Sequence, residues 1–351
     1  MKVLHLIDTL WLGGAQTMQR CYFENQEANT DIYLYVLRRS SPQLVIQHKN
    51  VVVYNSFSRY SLIPILSLRK YIKDNQIGVL HCHLLRSHLF GYILKRFFFR
   101  DLKFVIHEHG DIIANRRLSA AVLKMARNEA SVFITCSGFL KKILVNKIKV
   151  SSSNVTVLYN FVDPKRFRPG KLRDSISDFR IGFAGRLVKG KGWEEFLEAA
   201  RQSRSELSFQ FIIAGEGKDR VNITETIQKF GLSNVSVAGF VEEMSVFYSG
   251  LNCFVLPSHY EPMWMVAIEA QAMGIPVIAS NTDGLNEVVS DDWNALLFAP
   301  GSAEELVSAI RRVRDDPKIR ARLIENGIEN SKVYSLENYC NVLATVYSYL
   351  K

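Results

Sequence analysis

Paired cysteines are missing from this 351-residue chain: Cys21, Cys82, Cys136, Cys253 and Cys340 are odd in number, far apart and form no C-x-x-C. Neither a disulfide framework nor a zinc knuckle follows, and a reducing cytoplasm is the compartment that fits. No run of about 18 uncharged apolar residues occurs, so a membrane-spanning helix is excluded and any bilayer contact is peripheral. The opening MKVLHLIDTLWLGGA is broken by His5 and Asp8 and reads as a buried strand entering a glycine turn, not as a leader peptide. No repeat of 20 to 50 residues and no low-complexity tract is present, so solenoids and propellers are out. Three nucleotide motifs are absent as well. Without G-x-x-x-x-G-K-[ST] a P-loop kinase or ATPase is disfavoured, and without G-x-G-x-x-G so is a dinucleotide-dependent dehydrogenase. Nor is there a D-x-D to hold a metal under a diphosphate.

What remains is an ordinary globular composition, 48% hydrophobic and 22% charged with 9 Pro and 20 Gly, in a length suited to two domains. The net charge of +10 is unevenly placed: residues 1–170 hold 25 Lys and Arg against 10 Asp and Glu, and residues 171–351 hold 19 against 24. The basic half calls for an anionic partner, whether nucleic acid, a membrane surface or a phosphorylated substrate. No nucleic-acid module accompanies the charge.

Short apolar runs recur at 3–8, 32–37, 77–82, 103–108, 131–136 and 155–159, with helical periods between them at Ala15–Ala28, Leu62–Asn75, Leu84–Phe98 and Gly138–Lys147. The rhythm restarts at 179–185, 209–215, 235–240, 253–258 and 276–280. Near-continuous apolar strands alternating with helices predict an α/β chain of two tandem, Rossmann-like, doubly wound domains. The seam is expected near 161–175, where Pro164, Pro169 and Gly170 cluster with charges, giving domains 1–168 and 169–335. Ligands of such sheets bind beyond the carboxyl ends of the strands.

The most informative segment is SHYEPMWMVAIEAQAMGIPVIAS. Glu261 lies in a loop and Glu269 eight residues on in a helix, roughly 12 Å away at 1.5 Å per residue. That is too far for an acid and base flanking one bond, so the pair suits two parts of one elongated ligand; a capping Glu261 and a surface-paired Glu269 also fit the spacing. Backbone N–H groups around Met263, Trp264, Met265 and Val266 would face an anion. In FAGRLVKGKGWEEF, Arg186 and Lys191 flank slim glycines before a helix, which suits a metal-free diphosphate clamp and equally a basic surface turn. Gly13 and Gly14 permit close backbone approach or merely a tight turn.

Two H-x-H pairs, His81 with His83 and His107 with His109, end predicted strands. They fit a core, a metal site or a ligand-orienting role, for which His109 is the choice. Finally, residues 92–104 and 138–150 interleave Lys and Arg with apolar residues. In the second, Phe139, Leu140, Ile143, Leu144 and Ile148 make one stripe beside Lys141, Lys142 and Lys149, as in a helix lying on an anionic bilayer or an ordinary surface helix.

Taken in order, the segments resemble the GT-B retaining glycosyltransferases of family 4 over nearly the whole chain. They are the GG loop, HEHGD around His109, CSGFLKKIL from Cys136, LYNFVDPKRF from Leu158 and GRLVKGKG at Arg186–Gly192. IAGEG, VAGFV, LPSHYEP through PVIAS, TDGLNEVV with Gly284 and Glu287, and NALLFAPGSAEELVSAI follow. The resemblance implies that Arg186 and Lys191 bind the diphosphate of a nucleotide sugar, Glu269 the ribose and Glu261 the transferred sugar. Gly215, Glu216, Phe240 and Val241 would lie near the base, and His109 near the reacting centre. It further implies no metal or other cofactor, UDP- or GDP-linked donors, and a final helix, 336–351, crossing back onto the first domain. With the basic first half, it points to a cytoplasmic enzyme peripheral on the inner membrane face, extending a bacterial surface glycan on a polyprenyl-linked acceptor. One departure stands out: Trp264 occupies a position where the family usually has glycine, beside the diphosphate and sugar. That substitution gives some support to a catalytically silent scaffold; a sugar-nucleotide epimerase is the other alternative.

Overall fold

A computed structural model describes residues 1–350 other than Leu12, 28–29, 41–44, 56–57, 59–60, Asp111, 113–115, 171–172, Asp174 and 261–263, and not the Arg116 side chain. The chain divides into two compact units, Met1–Asn160 with Tyr339–Lys351, and Phe161–Asn338. The division falls ahead of the expected seam. Val162 and Phe167 are buried in the second unit, and Val162 N–H donates to the Tyr334 carbonyl at 2.9 Å, so the apolar residues of FVDPKRF make it packed chain instead of linker.

The first unit holds seven parallel strands: β1 Val3–Ile7, β2 Ile32–Val36, β3 Val51–Val53, β4 Val79–His83, β5 Lys103–Glu108, β6 Val132–Thr135 and β7 Val155–Val157. Their order is β3-β2-β1-β4-β5-β6-β7. Its helices are α1 Gly14–Glu24, α2 Pro64–Asp74, α3 Leu85–Phe97, α4 Arg116–Ala126 and α5 Gly138–Ile143, the last running into a π turn at Leu144–Ile148. Leu140, Leu144 and Ile148 are fully buried. The stripe therefore faces the unit's interior, as in the ordinary surface helix that the sequence also allowed and not as in one lying on a bilayer, and the Lys141 ammonium donates to the Val155 carbonyl at 2.8 Å while Lys142 stays exposed.

The second unit holds β8 Phe179–Ala184, β9 Phe209–Ala214, β10 Val235–Gly239, β11 Cys253–Leu256, β12 Val277–Ser280 and β13 Leu296–Phe298, in the order β10-β9-β8-β11-β12-β13. Helices α6 Trp193–Gln202, α7 Arg220–Phe230, α8 Met244–Ser249, α9 Met265–Ala272, α10 Ala303–Asp315 and α11 Pro317–Ser331 cover it. Side chains alternate between the faces of a strand, and here that alternation makes two cores. Phe179, Ile181 and Phe183 enter one with Phe196 of α6 and Ile310 of α10. Ala184, Phe254 and Leu256 enter the other with Tyr248 of α8 and Ile268 of α9. The final helix, α12 Leu336–Ser348, passes at Tyr339 into the first unit. Among the described residues no helix is long and apolar enough to cross a membrane.

Candidate functional site

Strand order reverses between β8 and β11, and an open α/β sheet takes its ligand beyond the strand ends at such a point. Gly192, at φ +77°, has no room for a side chain: a Cβ would lie 1.9 Å from the Pro257 carbonyl oxygen. His259 N–H donates to the Gly190 carbonyl at 3.0 Å, and His259 Nε2 pairs with Glu195 Oε1 at 2.6 Å. The loop after β8 is thus bound to the loop after β11. It is bound equally to the loop after β9. Gly215 sits at φ +130° with a Cβ position 1.9 Å from the Gly185 oxygen, a Cβ on Gly217 would meet the Leu187 oxygen at 2.2 Å, and Leu187 N–H donates to the Glu216 carbonyl at 2.9 Å. The glycines of IAGEG, generic as sequence, are required by this backbone contact.

On this frame Arg186 is exposed, with no ion-pair partner among the described residues, and Lys191 is partly buried. The helix end that suits an anion is not the one beside them. Glu194 and Glu195 occupy the first turn of α6 and already compensate its dipole. The N-terminus of α9 has no acid in its first turn and, among the described residues, no side-chain cap, and its first described intrahelical bond is Ala267 N–H to the Trp264 carbonyl. The N–H groups of Met265 and Val266 precede that bond and have no intrahelical acceptor. Glu261 and Met263 lie outside the described residues.

Glu269, one turn further along α9, accepts a hydrogen bond from the Tyr248 hydroxyl at 3.0 Å. Burial pushes its carboxyl up to about 6, against the opposing pull of that hydrogen bond and of the Arg166 charge. The Trp264 expectation needs correction. Its indole is 2% exposed and packs edge-on against Tyr334 in the core, so it is a core residue and does not line the site beside a diphosphate and sugar. Phe240, following β10, is 56% exposed, while Val241 packs onto the core. The Glu216 side chain pairs with Arg220.

In the first unit the reversal lies between β1 and β4. Gly13 caps α1 in an extended conformation and Gly14 begins it. Asp8, just after β1, holds Arg38 at 3.0 Å and Arg86 at 2.8 Å. Leu84, after β4, has φ 68° and ψ 162°, a region that glycine alone occupies without strain. Glu108 Oε1 accepts from the N–H groups of Gly110 at 2.8 Å and Ile112 at 3.0 Å, fixing the turn that carries His109. Register places His5 beside His81 and His83 beside His107. With His109 the five imidazoles form one buried cluster whose triads bring ring nitrogens within 4.8 Å of one another. Burial drives every one of them down, His5 and His109 to about 3. Both H-x-H pairs are thereby joined, and His5, Tyr248 and Arg166 are partners that motif spacing did not reveal.

Residues 169–330 match the family Glycosyl transferases group 1, and residues 25–166 match Glycosyltransferase Family 4. An uncharacterised glycosyltransferase of Methanocaldococcus jannaschii is 26% identical over 326 residues, 86% of this chain and 82% of the relative. A lipopolysaccharide core biosynthesis glycosyltransferase of Rhizobium meliloti is 29% identical over 180 residues, 50% of this chain and 52% of its own. Among solved structures, Anabaena HepE in complex with UDP-glucose superposes with a TM-score of 0.84 at 21% identity, over 99% of each chain. With two parallel α/β units and both family matches in sequence order, the chain belongs to the group 1 glycosyltransferases of the GT-B fold and is a transferase.

Proposed function

We propose that the protein is a retaining, metal-independent glycosyltransferase that moves a hexose-type sugar from UDP to a glycan acceptor on a polyprenyl-type lipid, in the assembly of a bacterial surface polysaccharide. One observation carries the reading. The β8 and β11 loops, held together through Gly192 and Pro257, follow the strands that flank the switch point; Arg186 and Lys191 lie on the first and the N-terminus of α9, without a side-chain cap among the described residues, follows the second, which supports the reading. Two cations and helix N-terminal N–H groups suit a diphosphate without a metal. Glu269 then takes the ribose hydroxyls and Glu261 the transferred sugar. Phe240, with Val241, Gly215 and Glu216, borders the base, and His109 meets the acceptor side. UDP-glucose in HepE favours UDP over GDP, and the Rhizobium relative favours a surface glycan. The silent-scaffold alternative loses its support once Trp264 is a core residue.

Membrane contact belongs to another face than α5. Leu62, Ile63 and Leu66 by α2 and Phe97 at the end of α3 are exposed, and Arg69 lies 4.8 Å over the Phe98 ring, joining the two helices. With Lys70, Lys73, Lys95 and Arg96 nearby in sequence, this surface suits anionic lipid and supports the reading of an enzyme peripheral on the inner face of the membrane.

The test is calorimetric binding of a panel of UDP- and GDP-sugars, with product anomer read by NMR. Saturable binding of one UDP-hexose, lost in Lys191→Ala, is expected. No binding at millimolar donor would overturn the reading.

A further inference from the structure

The histidine cluster is a single hydrogen-bonded chain. His109 Nε2 meets His83 Nδ1 at 2.9 Å, His83 Nε2 meets His5 Nδ1 at 3.0 Å, and His5 Nε2 meets the Tyr347 hydroxyl at 3.1 Å. The same hydroxyl meets His81 Nδ1 at 2.5 Å, and His81 Nε2 meets His107 Nδ1 at 3.2 Å. Only the two ends, His109 Nδ1 and His107 Nε2, are buried without a partner among the described residues. A three- or four-nitrogen metal site would need more open nitrogens than these two.

Proton counting makes the chain directional. A neutral imidazole has one donor and one acceptor nitrogen, and burial keeps all five neutral. Each inner histidine that accepts on one side must therefore donate on the other, so one link fixes its neighbours. The Tyr347 contacts select the direction. The 2.5 Å contact to His81 suits an O–H donor, and the 3.1 Å contact to His5 suits an N–H donor into the phenol oxygen. If Tyr347 donates to His81 and accepts from His5, then all five histidines carry the proton on Nε2. His109 Nδ1 is left as a bare lone pair and His107 Nε2–H as a free donor.

We propose that Tyr347, on the last helix, is a positioning residue that fixes His109 in the Nε2–H tautomer through His5 and His83, so that His109 Nδ1 accepts a hydrogen bond from a neutral hydroxyl of the acceptor. This rests on the reading of His109 given above, but the tautomers are measurable without turnover. In the full chain labelled with 15N-histidine, long-range proton–nitrogen spectra are expected to show five Nε2–H imidazoles, with nitrogen–nitrogen couplings across the His109–His83 and His83–His5 bonds. Tyr347→Phe removes the selecting group, and His109, three links away, is expected to populate the Nδ1–H form. For transfer, kcat is expected to fall about tenfold, below the span of a full general acid–base group, with donor KM within about twofold. An Nδ1–H His109 in the unmodified chain, or an imidazolium among the five at neutral pH, would overturn the proposal whether or not the variant folds. So would Tyr347→Phe leaving His83 and His109 unchanged, or altering them without effect on kcat. A chain that binds no donor yet shows the five tautomers would count against the preceding functional reading alone.

Discussion

Trp264 and Tyr334 meet edge to face, ring centroids 5.1 Å apart and planes at 69°, so the bulkiest residue at the entrance to α9 stabilises the second unit from within. Trp264→Gly is expected to cost about 3 to 5 kcal/mol, the range for emptying a buried aromatic site. A urea titration reads this directly. If the indole instead occluded the donor, the variant would keep its stability and gain affinity.

Gly192 is the joint between the two site loops. Gly192→Ala adds a Cβ against the Pro257 carbonyl at φ +77°, a strain of about 1 to 3 kcal/mol, and is expected to weaken UDP binding beyond tenfold. Gly170→Ala, where nothing lies within 4 Å of the added Cβ, serves as the control and should leave affinity unchanged.

Glu269 predicts a pH dependence. With its carboxyl pushed up to about 6 by burial, it passes from protonated to ionised between about pH 5 and 7. The ionised form is the better acceptor for hydroxyls, worth roughly 1.5 to 3 kcal/mol, so donor affinity should rise tenfold or more across that window. Calorimetry on Glu269→Gln should show weak binding that is flat with pH. In the free protein the sign is opposite: the raised carboxyl contributes stability below about 4.5 that is lost as pH rises through 6.

The buried histidines act in the other direction. His5, His81, His83, His88, His107 and His109 are all lowered by burial, His88 to about 4. The unfolded chain therefore binds more protons below about pH 6.5, and stability present above that pH is lost on acidification. Each group contributes up to about 1.4 kcal/mol per pH unit. Urea midpoints at pH 7.5, 6.5 and 5.5 should fall with increasing steepness; a constant midpoint would contradict neutral burial.

Much of the architecture was legible because buried parallel strands are written as continuous apolar runs: Lys103–Glu108 coincides with its run, and Phe179–Ala184 and Phe209–Ala214 come within a residue. The edge strands Val51–Val53 and Leu296–Phe298 were not, since three residues carry no period; the equally short Val155–Val157 was found only because its apolar run continues to Tyr159. Local motifs singled out the Arg186–Gly192 and Trp264–Glu269 segments because the chemistry proposed for each is contiguous. Partners that come together only through the fold left no local signal: Tyr248 reaches Glu269 across 21 positions, and Tyr347 reaches His81 across 266. Two patterns misled for a shared reason. The α5 stripe and Trp264 show apolar character but not direction, and in both cases the side chains turned inward.

The two cores of the second unit have a mechanical corollary. Leu187 and Trp193 root the Arg186–Lys191 loop in the core on one face of the sheet, whereas Trp264, Met265 and Val266 belong with the core on the other. A nucleotide gripped by both would act as a rivet through the sheet's edge, adding a tie between two packed layers that already meet through the strands and where α9 packs on α11. Melting of the second unit should then become sharper, as well as later, when that rivet is in place.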